Sequence, residues 1–217
     1  MATRTAIGTF TATDADKDSD VDFASITIAN GASMIVGVNV TGSTSPSGAT
    51  WNGQNLNRDF YLRLNDAARS AVFSVHNVTG GTGTLNILCD KSATMVIWVS
   101  EVTGLATTST LDLTAAATGT STTPSSGATG TTAQAAEFLV GNISYDSATT
   151  TVSSWSNSFN AGQNSQGTGM SAAEGYLEVS AVGTYTAAAT LGASEGWSAG
   201  IATYKVVATS TRRRFVI

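Results

Sequence analysis

The densest run of possible ligands in this chain is Asp14, Asp16, Asp18, Asp20 and Asp22, five carboxylates at every second position. Alternating aspartates in a tight loop can converge their oxygens on a hard cation at about 2.3–2.6 Å. Against the EF-hand pattern the run fails twice, with Ser19 at the place of the turn glycine and Ser25 at the place of the bidentate glutamate. If the segment is extended, all five side chains share one face and repel one another. The expectation is a solvated acidic loop, with a calcium site as its alternative, and no other cofactor.

His76 is the only histidine and Cys89 the only cysteine, so a His/Cys zinc set cannot be assembled. A Ser-His-Asp triad needs the histidine beside a nucleophile and a carboxylate, and no G-x-S-x-G elbow occurs. His76 therefore reads as an ordinary strand residue in SAVFSVHNV. Glu101, Glu137, Glu174, Glu178 and Glu195 could supply the carboxylate pair of a glycosidase, but no spacing pairs any two of them. The Gly-rich stretch at 80–84 has no lysine after it, so it reads as a hairpin turn rather than a phosphate loop. These residues point to no enzyme.

The elements that would position these groups are strands. Phe23, Ser25 and Thr27 alternate with Ala24, Ile26 and Ile28, the period-two signal of a half-buried strand. Met34–Val40 and Thr94–Val102 are apolar enough for central strands, and Asn52-Gly53 after Trp51 suits a type I′ hairpin turn. No apolar i, i+3, i+4, i+7 pattern persists over three turns. A second copy of the plan follows. Gly37 and Gly141 stand 104 residues apart, as do Trp51 and Trp155. Phe138–Tyr145 answers Met34–Val40, Thr184–Ala189 answers Thr84–Cys89, and Trp197–Val207 answers Thr94–Val102. The expectation is one all-β domain over 1–217, a two-sheet, jelly-roll-like sandwich built from two similar Greek-key halves. The halves lie at about 22–103 and 134–208 and share one core, with a crossover at 104–133 and a tail at 209–217.

Only 12% of the 217 residues are charged and 41% are hydrophobic, which excludes a disordered chain. A net charge of −5 disfavours nucleic acid as a partner. One cysteine leaves no internal disulfide. The N-terminal stretch has no apolar core of a secretory signal, and no run approaches a membrane span, so synthesis in a cytoplasm is expected.

The segments GASMIVGVNV, ATWNGQNL, GTGTLNILCDKSATMVIWVSEVTGL, AAEFLVGNIS, SSWSNSF and EGWSAGIATYKV follow one another in a characteristic order. In order and spacing they resemble a β-sandwich module that recurs in virion proteins of tailed bacteriophages, over about residues 22–208. That resemblance implies an accessory structural protein: capsid decoration or cement, a head fibre, or a tail-associated piece. It carries no catalytic motif. It implies location in the virion, other virion proteins such as the major capsid protein as partners, and a homo-oligomer, for which a trimer would suit threefold capsid positions. The chain departs from longer members by ending soon after the sandwich with STRRRFVI, which favours a small decoration subunit.

Two surface readings remain open. Arg212, Arg213 and Arg214 followed by Phe215 and Ile217 form either a last strand or an arm that docks on a neighbouring subunit. Trp155 and Trp197, with Ser and Gly neighbours, are candidates for partial exposure and for stacking on sugar rings, which motivates a glycan-binding alternative.

Overall fold

The chain is described by a computed structural model, which covers residues 1–13, 20–64, 68–91 and 93–207. Its first half contains β1 (Thr3–Thr13), β2 (Asp20–Ile28), β3 (Ser33–Thr41), β4 (Pro46–Trp51), β5 (Gln54–Asn55), β6 (Asn57–Leu64), β7 (Ala68–Val75), β8 (Gly81–Cys89) and β9 (Thr94–Thr103). The second contains β10 (Leu111–Ser121), β11 (Ala136–Tyr145), β12 (Val152–Trp155), β13 (Asn160–Gly167), β14 (Met170–Ser180), β15 (Ala189–Leu191) and β16 (Glu195–Lys205). The expected all-β sandwich holds.

The halves repeat in topology. An inner sheet ordered β1-β9-β3-β7-β6 is answered by β10-β16-β11-β14-β13, and every pairing is antiparallel. The outer sheet β2-β8-β4-β5 is answered by β12-β15. Residues 122–132 stand where β2 does, through Leu191 N–H to Thr122, Ala189 N–H to Pro124 and Thr132 N–H to Gly183. The first half thus begins at Thr3, not at residue 22, because β1 lies beside β9.

The expected single shared core is corrected: each half closes its own, and a third cluster joins them. Met34, Val36, Val38, Phe73 and Ile97 pack against Trp51, Leu85 and Ile87 of the outer sheet. On the other face of the same strands, Ile35, Val72, Trp98 and Val102 pack against Phe138, Val140, Ala202 and Tyr204 of the second inner sheet. Leu139, Phe159, Ala187 and Ile201 then close the second half outward. Four sheets are stacked, so β3, β7 and β11 are buried on both faces, and the polar residues they carry, Asn39, Ser70 and Asn142 among them, are buried with the apolar ones.

This stacking separates the two landmark pairs. Trp51 and Trp155 are equivalent: each ends an outer strand and leads into a left-handed asparagine, Asn52 at φ 48° and Asn157 at φ 56°. Gly53 at φ 75° completes the expected I′ turn. The glycines are not equivalent. A Cβ on Gly37 would sit 2.1 Å from Trp98 Cε2, on the face between the halves. A Cβ on Gly141 would meet Ala187 and Trp155, on the outward face. One residue of offset turns a strand over.

Three further elements depart from the sequence reading. The strand expected at Thr184–Ala189 lies at Ala189–Leu191, and the segment 42–49, loop-like in its Gly, Ser and Pro content, already contains the start of β4. The strand β13, reading NAGQNSQG, has no apolar alternation and is held by pairing with β14 and by the Gln163 side chain, which donates to the carbonyl of Val99.

Gly37→Ala is expected to lower stability by about 1–3 kcal/mol, the usual cost of overpacking, because the Trp98 indole has no room to withdraw. Urea denaturation midpoints of the two proteins check this.

Candidate functional site

Most of the buried polar chemistry lies between the halves. Asn142 on β11 donates from Nδ2 to Asn39 Oδ1 at 3.0 Å and to Ser70 Oγ at 2.7 Å, and its Oδ1 accepts from Trp98 Nε1 at 2.7 Å. Ser70 donates to Asn39, and Asn39 donates to the carbonyl of Val96 at 3.2 Å. Nearby, Glu174 on β14 is 1% exposed and pairs bidentately with Arg4 on β1. Ser100 donates to Glu174 at 2.7 Å, the backbone and side-chain N–H groups of Gln163 donate at 3.2 Å, and Arg4 lies over the Tyr176 ring. Both clusters are locks rather than sites, since their polar atoms are spent on one another.

The opening with convergent titratable groups is a cleft of about 500 Å³ where β5, β6 and the end of β7 meet the link 107–111 to the second half. Asp59, Ser74 and His76 form its wall. Ser74 and His76 are two apart at the end of β7 and so face the same way. Asp59 sits in the neighbouring strand at a register shift between Arg58 and Phe60, and such bulges re-aim a side chain. Ser74 donates to Asp59 Oδ1 at 3.0 Å, and Tyr204 from the second half donates to Oδ2 at 2.5 Å. With the Ser74 proton engaged, His76 Nε2–H donates to Ser74 Oγ at 3.1 Å, and Nδ1 accepts from Ser33 at 2.9 Å. This chain of bonds assigns a neutral imidazole protonated on Nε2.

Burial sets the charges. It raises Asp59 to about 6 against the pull of its two hydroxyl donors, and it lowers His76 to about 4. At neutral pH the wall carries one negative charge and an uncharged imidazole. Ser33 and Ser74 are 3% and 1% exposed, so neither hydroxyl is open to an incoming carbonyl carbon. The polar residues lining the opening include Gln54, Asn55, Asn57, Thr107 and Thr108, whereas the guanidinium of Arg58 donates to the Pro46 carbonyl and lies over the Tyr61 ring. Such a lining suits a ligand rich in hydroxyls and poor in charge.

A second titratable group anchors the start of β10. Asp112 accepts from the Ala133 N–H at 2.7 Å and pairs with Lys205 at 2.9 Å. Glu137 is fully buried beside it. As a carboxylate Glu137 has no donor in hydrogen-bond geometry. Burial first, then the neighbouring Asp112 charge, raise it to about 7 despite the Thr203 hydroxyl, so below that pH it is a neutral acid that can donate to Asp112.

Of the expected ligands, Asp20 and Asp22 are exposed on one side of β2, with Asp22 accepting from Asn86 at 2.9 Å. Asp14, Asp16 and Asp18 lie outside the described residues, as do Arg212, Arg213, Arg214, Phe215 and Ile217. Among the described residues no three His, Cys, Asp or Glu side chains converge as a metal requires. Trp197 is corrected to a buried residue, 8% exposed, with its Nε1 on Ser121. Trp155 is half-buried over Gly141 and Gly175 and stacks on Phe159. His76 is not the strand residue expected: it lies just past the end of β7 and bonds both Ser33 and Ser74. The Ser74-Val75-His76 spacing was the only sign of this in the sequence, and neither Asp59 nor Tyr204 carried one.

Because Glu137 is raised in the folded state, folding holds a proton that the unfolded chain releases above about 4.5. Its contribution is full below about 4.5 and is lost as pH rises through about 7. Glu137→Gln, a permanent mimic of the neutral acid, is expected to be more stable than the parent at pH 8 by on the order of 1–3 kcal/mol and equal to it at pH 4. Chemical denaturation at both pH values reads the difference.

A scan against protein-family models, a search of curated proteins and a search of solved structures each returned no match for this chain.

Proposed function

We propose that this protein is a non-enzymatic structural component of a bacteriophage virion, a decoration or cement subunit that binds across capsid proteins. The observation that carries this reading is the strand order. The order of the inner strands β1-β9-β3-β7 and of the outer strands β2-β8-β4-β5, with the inner order repeated in the second half, supports reading the halves as jelly rolls. Jelly rolls recur in viral capsid and lectin domains. Since fold alone hosts many functions, the reading also leans on the resemblance of the ordered segments to phage virion modules and on the sparsely charged surface.

The mechanism is linkage. A subunit that binds the assembled shell and not its dissociated parts stabilises assembly by mass action. The doubled, internally locked sandwich supplies a rigid body for that contact, and Arg212, Arg213, Arg214, Phe215 and Ile217 supply a segment for docking on an acidic neighbour. Capsids carrying the protein should withstand a higher temperature than stripped ones, as followed by release of packaged DNA. Removal of residues 212–217 should abolish rebinding to stripped capsids without changing the melting of the free protein. Cryo-electron microscopy showing the protein only at a tail tip would sink the cement reading.

The polar cleft favours a second reading, a glycan-binding adhesion module of a head fibre or tail. Its amide and hydroxyl lining matches sugar hydroxyls, whereas Trp51, Trp98 and Trp197 are buried and Trp155 stacks on Phe159. On a glycan array the parent should bind and Asn55→Ala/Asn57→Ala should not, while Trp197→Phe leaves binding unchanged. Silence of the parent on the array removes this reading and leaves the first untouched.

A further inference from the structure

The edges of the sheets differ in how they are protected against adding another strand. A free edge is a row of unpaired N–H and C=O groups, and natural sheets blunt it with charge, bulges or brevity. Among the described residues, β6 carries Arg58, Asp59 and Arg63 and is broken between Arg58 and Phe60. β2 carries Asp20 and Asp22 and is broken between Phe23 and Ile26, with Ser25 left-handed at φ 63°. β1 is broken between Ala6 and Gly8, β13 is broken between Ala161 and Asn164, and β5 has two residues.

The strand β10 has none of these devices over most of its length. From Thr114 to Ser121 it pairs with β16 in eight consecutive positions without a shift. That stretch contains no charge and no proline. Its single charged residue, Asp112, lies before the stretch and is held by Lys205 and the Ala133 N–H. Thr114, Ala116, Thr118 and Thr120 form an exposed row on one face, all small side chains.

We infer that residues 114–121 of β10 are a dimerisation edge, where the same strand of a second copy adds antiparallel about a two-fold axis and joins two five-stranded sheets into one of ten strands. The occupant follows from the strand itself. A two-fold contact presents the same surface to itself, so the strand must be complementary to its own reversal. Within 114–121 every antiparallel self-pairing opposes only Thr, Ala, Gly and Ser, and no like charges meet. Cross-strand Thr pairs add hydrogen bonds, and small side chains let the backbones reach ladder distance. An edge bearing Arg or Asp in the middle could not self-pair in this way without repulsion.

This inference does not depend on the virion reading. Sedimentation equilibrium of the full chain should give twice the 22.0 kDa chain mass. Thr118→Lys, which sets two lysines close together across the axis, should give a single-chain mass with an unchanged circular dichroism spectrum. An equimolar mixture of Thr118→Lys and Thr118→Glu should regain the doubled mass, which only self-pairing at this edge explains. Thr120→Lys serves as a second probe if the first variant misfolds. Gln166→Lys, on the β13 edge, should leave the mass doubled. A monomeric parent at 100 μM, a trimer, or a dimer that survives both lysine variants would overturn the proposal. A Thr118→Lys monomer that still binds capsids would separate this edge from the capsid contact.

Discussion

The contact between the two inner sheets is the constraint on which the rest of the molecule depends. It brings two five-stranded sheets face to face, and it buries two asparagines, a glutamate and several hydroxyls along with its apolar side chains. Each of those polar groups would cost about 1–3 kcal/mol if left without a partner. The halves can close only in an arrangement that satisfies them together. Asn142 reaching Asn39, Ser70 and Trp98 is one such requirement, and Glu174 reaching Arg4, Ser100 and Gln163 is the other. A buried ion pair acts less through its own attraction than through the penalty for separation: an alternative packing strands a bare carboxylate. Apolar contact drives the stacking, and the polar set selects one register for it.

The cleft is a by-product of the same contact. Tyr204 belongs to the second half, yet its hydroxyl completes the coordination of Asp59 in the first. The His76 ring lies 5.7 Å from the Tyr204 ring. The floor of the opening is therefore held from both sides, while its rim of amides and threonines stays free to meet solvent or ligand. The bulge at Asp59 has two effects at once: it turns the carboxylate toward Tyr204, and it breaks the β6 edge against strand addition.

The chain also distributes its few charges economically. Among the described residues, charge, a bulge or brevity limits each outward-facing edge of the larger sheets except β10. Where charge is buried, as at Glu174 and Glu137, partners lie within reach to pair it or to share its proton. The remaining surface is largely Ser and Thr, which suits half-exposed positions on pleated sheets.

Much of the fold was legible in the residues. The apolar run of Met34–Val40 and the Asn52-Gly53 turn specify local structure through side-chain period and backbone sterics. The alternation in 22–28 marks a strand, but a bulge at Ala24-Ser25 breaks it and buries Phe23 together with Ile26 and Ile28. The repeat was legible as well, since Trp51 and Trp155 close equivalent outer strands. What the sequence could not reveal was which face of each inner strand meets which sheet. Gly37 and Gly141 have the same spacing as the tryptophans but face opposite layers, because in a strand buried on both faces polar residues such as Asn39 and Asn142 no longer mark the solvent side. The strand at 160–167 was hidden for a related reason: its order comes from the ladder to β14 and from polar contacts of Gln163, not from apolar alternation. The cleft was least visible of all. The β6–β7 ladder sets Asp59 beside Ser74 and His76 within the first half, and only the stacking of the sheets, a long-range event with no local signature, brings Tyr204 of the second half within hydrogen-bond reach.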